Sequence, residues 1–118
     1  IVNLSQTMTK HGTFNGPNTV TSLCSCVYSM TALALGKNLA YILGAKIWDS
    51  AGSLPALKAL GFYGVLQNGA DMMSLEINDR IYNLDFSSPK AFSVRGHAVM
   101  APSREISEKI ASLCVFAK

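Results

Sequence analysis

Two thiols one residue apart, Cys24 and Cys26, stand at the head of an apolar stretch, Thr21-Ser-Leu-Cys-Ser-Cys-Val-Tyr-Ser-Met-Thr-Ala-Leu-Ala-Leu35, that reads as a buried helix. A polar, turn-rich run, Asn15-Gly-Pro-Asn-Thr19, leads into it, and Gly36-Lys37-Asn38 interrupts it. Free N–H groups and the positive end of the helix dipole favour an anion at a helix start, so a cysteine placed there gains thiolate character. Free cysteine is also among the most buried residue types, and core packing is the competing reading of both thiols.

Taken in order, residues 1–20 read as an extended lead-in with His11 in a solvated loop, followed by a core over 21–118. The first helix is expected from Cys26 to Ile42 or Leu43, bending at Gly36 and capped by Gly44. Ser53 and Pro55 mark the start of a second helix, in which Leu54, Leu57 and Leu60, continued by Phe62 and Tyr63, keep a helical spacing. Trp48, just ahead of it, reads as a core anchor. From Met73 the period falls to two, and Leu75 and Ile77, an Asn78-Asp79 turn, then Ile81, Tyr82 and Leu84 predict a hairpin. Ala91–Met100 predicts a strand carrying His97, and Ser103 opens a closing helix with Ile106, Ile110 and Leu113 on one face and Cys114 packed in the core. Helices first and strands after imply an α+β fold, with N-terminal helices packed on a small antiparallel sheet.

A chain of 118 residues forms one domain, and 49% hydrophobic against 14% charged residues excludes disorder. The ten Lys and Arg are scattered, so the net charge of +3 forms no nucleic-acid stripe. Three cysteines, two of them separated by a single residue, exclude a disulfide framework and fit a reducing compartment, here the cytoplasm. Without Cys-x-x-Cys spacing, no metal site is expected, nor any other cofactor. The apolar runs are too short to span a bilayer, and Ile1-Val-Asn-Leu-Ser5 has no basic region of the signal-peptide kind. The expected state is a monomer.

Nucleophilic thiol catalysis needs a cysteine at a helix start, whose N–H groups hold an oxyanion, and an imidazole presented to the sulfur by a rigid strand. Cys26-Val-Tyr-Ser-Met-Thr-Ala-Leu-Ala-Leu35 resembles the Cys-aromatic-apolar helix of papain-like cysteine peptidases, and Gly96-His97-Ala98-Val99-Met100 resembles their His-Ala-Val strand. The short separation of the two is similar to that in compact viral leader proteinases. The C-terminal domain of the potyvirus helper-component proteinase is the nearer likeness, and the arterivirus papain-like proteinases are more distant. This resemblance implies a papain-like fold and a viral endopeptidase that cuts its own polyprotein, mainly in cis at its own C-terminus. Cys26 would be the nucleophile and His97 the base. No Asn or Asp follows His97, so a dyad rather than a triad is implied. Cys24 is the alternative nucleophile, because Asn18 lies six residues before it, the offset at which papain-like enzymes carry their oxyanion-hole Gln. Two rival readings are a non-catalytic interaction domain with structural cysteines and a membrane-associated subunit of a larger complex.

Overall fold

The structure, a computed structural model, describes residues 1–116. Its centre is a mixed sheet of five strands, in the spatial order β3 (Val20–Thr21), β1 (Val2–Leu4), β4 (Ala40–Leu43), β6 (Ala98–Ala101) and β5 (Tyr63–Leu66). The first three run parallel, and β6 is antiparallel to both β4 and β5. A separate antiparallel ribbon joins β2 (Thr13–Phe14) to β7 (Cys114–Val115).

Helices cover both faces. On one face, Met30 and Leu33 of α2 (Cys26–Ala34) and Leu54 and Leu57 of α4 (Leu54–Ala59) pack with Tyr41, Leu43, Ala98 and Met100. On the other, Met8 of α1 (Gln6–His11) and Ile110 of α5 (Arg104–Ser112) pack with Val2, Ile42 and Val99. A short helix, α3 (Ile47–Ser50), follows β4. The chain is therefore α+β, but its strands and helices interleave. The expected antiparallel sheet with segregated helices is corrected to a mixed sheet with helices on both sides.

Several local expectations change for identifiable reasons. The first helix stops at Ala34 because Gly36 takes a left-handed φ of 74° and the Lys37 N–H closes back on the Ala32 carbonyl. Ala40–Leu43 is then a strand in which all four residues are buried, so no period-two signal separates it from a buried helix. Residues 1–20 are no lead-in. They supply β1, with strands on both sides, and α1, whose start is capped by Ser5 accepting from the Met8 N–H at 3.2 Å. The second helix ends before Gly61 (φ 82°), and Tyr63 begins β5. No hairpin forms after Met73: Met72–Ser74 is a 3₁₀ turn, Leu75 is left-handed, and Asn78 caps its own turn by accepting from the Arg80 and Ile81 N–H groups. Of the expected 91–100 strand only Ala98 to Met100 pair in the sheet, and the strand runs on to Ala101. The closing helix starts at Ser103, which accepts from the Ile106 N–H, but it ends at Ser112, so Cys114 belongs to β7.

Removing residues 1–4 takes out the strand between β3 and β4, and this is expected to abolish cooperative urea unfolding, followed by circular dichroism; a lead-in would be removed without effect. Leu33→Ala, at a fully buried position of α2, is expected to lower unfolding stability by about 2–5 kcal/mol in the same measurement.

Candidate functional site

The carboxyl ends of β1 and β4 open beneath the N-terminus of α2. Ser25 caps that helix by accepting from the Tyr28 N–H at 3.3 Å, which leaves the Cys26 and Val27 N–H groups without partners inside the helix. Cys24, just before the cap, is exposed and takes a left-handed φ of 54°, with its sulfur 3.8 Å from the Ser22 hydroxyl. Below the cap lies a cavity of about 380 Å³, lined by Ser5, Cys24, Cys26, Ser29, Tyr41 and Asp49 among others. Both thiols named from sequence therefore face one cavity. Asn18 lies in the turn before β3 and is not part of its wall.

Cys26 is half-buried, and burial pushes its thiol up to about 11. The Tyr41 hydroxyl, set toward the sulfur by β4, acts in the opposite direction, and the nearby Asp49 carboxylate adds to the rise. Desolvation outweighs the helix dipole here, so the resting thiol is protonated at neutral pH.

His97 sits just before β6, and Leu43 pairs with Ala98, so the imidazole reaches the same end of the sheet as Cys26. It lies on the other face. Cys26 packs against the α2 layer, whereas the His97 ring is stacked on Phe116 of the α5 layer, with centroids 5.1 Å apart and planes at 20°. Among the described residues no hydrogen bond links His97 to either Cys26 or Cys24, and neither ring nitrogen has a partner, although the residue is only 4% exposed. Burial lowers its pKa and keeps it neutral.

Three further residues hold this arrangement: Gln67, which the sequence reading did not name, and Gly96 and Gly44, which it named only in a motif and as a helix cap. Gln67 accepts from the His97 backbone N–H at 2.8 Å. Gly96, with φ 75°, leaves the space that Gln67 fills, since a Cβ there would collide with its amide. Gly44 separates the two sides: a Cβ on it would stand 3.1 Å from His97 Cδ2 and 3.4 Å from Ser5 Oγ. Gly44, Ala45 and Asp49 line both the Cys26 cavity and a second one, of about 820 Å³, that His97 enters. The available signal was the pair of glycines, one after an apolar run and one beside the histidine; no signal pointed to Gln67. Trp48, expected in the core, is 60% exposed on α3 and packs against Phe92 with the ring planes tilted at 51°. Cys114 is half-buried and donates to the Ile110 carbonyl at 3.3 Å.

Compared with known proteins, the chain matches no family model and no curated protein. No helix among the described residues is long and apolar enough to cross a membrane.

Because the folded state holds His97 neutral, its stabilising contribution is present above the ordinary imidazole value of 6.5 and is lost as pH falls through and below it. The melting temperature is expected to drop between pH 7.5 and 5, and less so in His97→Phe, which keeps a ring on Phe116; equal slopes in the two proteins would exclude His97 as the source. The raised Cys26 thiol predicts the order of alkylation: iodoacetamide followed by peptide mapping at pH 7.5 is expected to modify exposed Cys24 before Cys26, with the Cys26 rate rising as pH approaches 11.

Proposed function

We propose that this domain is a papain-like cysteine endopeptidase that cuts its own polypeptide, in the manner of the viral leader proteinases its two motifs resemble. Cys26 is the nucleophile and His97 the base. The imidazole takes the thiol proton as sulfur attacks the scissile carbonyl, and gives it to the departing amine, leaving a thioester that water hydrolyses to a carboxylate and the free thiol. The Cys26 and Val27 N–H groups are the oxyanion donors.

The observation that carries this reading is where the chain goes after α5. Pairing of β7 with β2 delivers Phe116 onto the His97 ring, so the polypeptide to be cut is tethered beside the base. Tethering makes cleavage effectively unimolecular and offsets an imidazole with no orienting third residue. The reaction requires the imidazole to leave the Phe116 stack and turn past Gly44, where a Cβ would stand 3.1 Å from the ring. Two neutral partners, a protonated thiol and an uncharged imidazole with both nitrogens free, are the protonation states this proton transfer starts from.

A second reading, a non-catalytic interaction domain, is favoured by one specific observation: the thiol and the imidazole lie in separate layers, each stabilised in its uncharged form by burial. The two separate cleanly. In a chain extended past Lys118 by its native continuation, self-cleavage is expected at a rate independent of protein concentration. Cys26→Ala and His97→Ala should each abolish it, and Gly44→Ala should slow it roughly tenfold or more by crowding the His97 ring. Mass spectrometry of the products over time reads all three. Cleavage of the Cys26→Ala chain at the unmutated rate overturns the assignment of Cys26, and the same result with Cys24→Ala as well leaves the interaction-domain reading.

A further inference from the structure

The second cavity, across Gly44 from Cys26, carries lysines that the cutting reaction does not use. His97 enters it more than nine-tenths buried with both ring nitrogens unpartnered, and Lys46, Lys90 and His11 complete a basic rim. A buried imidazole with no partner costs free energy unless a ligand atom satisfies it. We infer that this cavity is a specificity pocket for an acidic side chain of the polypeptide that lies across the site, a carboxylate held by Lys46 and Lys90, with the His97 ring hydrogen-bonded to it only in the resting position that the ring leaves to act as base. The inference rests on the peptidase reading for the identity of the bound chain.

Three observations favour a carboxylate on a peptide. The cavity shares Gly44, Ala45 and Asp49 with the Cys26 cavity, so the two adjoin along these residues. The Asp49 carboxylate in its wall disfavours a dianion such as phosphate more than a single negative charge. Neither rim lysine is in a salt bridge: among the described residues the ion pairs are Arg95 with Asp79 and Arg104 with Glu108. Lys46 Nζ instead rests 5.1 Å over the ring of Trp48, the sole tryptophan of the chain, which places a fluorescent reporter at the rim.

The test uses the uncleavable Cys26→Ala protein, so that binding is read apart from catalysis. Matched peptides carrying Glu or Gln at one position are titrated while Trp48 emission and the His97 ring resonances are followed. The Glu peptides are expected to bind more tightly, by about tenfold, and to shift the His97 ring signals, with the preference shrinking at high salt. Lys90→Ala, which leaves the Lys46–Trp48 pair intact, is expected to reduce the preference about threefold, and Lys90→Arg to retain it. Lys46→Ala, read from the His97 signals because it alters Trp48 directly, should act similarly. Equal binding of Glu and Gln peptides overturns the inference, as does tighter binding of inorganic phosphate or single-stranded RNA at the His97 ring. If the peptide preference holds while the extended chain fails to cut itself, the pocket stands and the peptidase reading falls.

Discussion

The pairing of β4 with a parallel strand on one side and an antiparallel strand on the other is the constraint from which the rest of the structure follows. All four of its residues are buried, so Tyr41 and Leu43 hold one helical layer while Ala40 and Ile42 hold the other. Its register with β1 places Asn3 beside Tyr41, and its register with β6 places Leu43 beside Ala98. A slip of one residue would turn Tyr41 away from Cys26 and exchange the two core faces along the whole strand. Because both faces are covered, that slip would expose nothing useful to water and would bury the wrong side chains, which makes the register strongly specified.

Around this strand the chain keeps an unusual balance of buried polar groups. Ser107 gives its hydroxyl to the Val99 carbonyl at 2.6 Å and so ties α5 to β6. Ser5 accepts the cap bond of α1. Asn3 and His97 have no such partners, and each unsatisfied group costs about 1–3 kcal/mol. The two differ in position. His97 enters a cavity with cationic neighbours, whereas Asn3 lines neither cavity and is simply enclosed between strands. An unpartnered group with an opening beside it can be satisfied by a ligand, while one sealed in a sheet is a standing loss.

The electrostatics of the two thiols illustrate how burial decides reactivity. Both stand near the same helix start and line the same cavity. Cys26 is drawn under the helix toward Tyr41, where loss of hydration outweighs the dipole. Cys24 sits one step outside the cap in solvent. Placing Cys26 beside a base would remove the need for a free thiolate, because proton transfer and attack then occur together. Reactivity at Cys26 would therefore depend on contact with a base and not on its position alone.

Local chemistry alone determined the start of α2 at Cys26, the cap of α5 at Ser103, the turn at Asn78 and the presence of both helices and strands, since caps, glycines and Asx turns act within a few residues. The two motifs that carry the proposed chemistry, one at each of the elements bearing Cys26 and His97, were also legible there. Tertiary structure alone decided that residues 1–20 supply a strand inside the sheet, that Ala40–Leu43 is that strand's neighbour and not a helix, and that Trp48 lies outside the core. It also decided that Cys26 and His97 reach the same end of the sheet from opposite faces, with Gly44 between them and Phe116 on the ring. The physical reason is burial on both sides: a strand covered on two faces loses the alternation that marks it, and which face a side chain takes depends on partners far away in the chain.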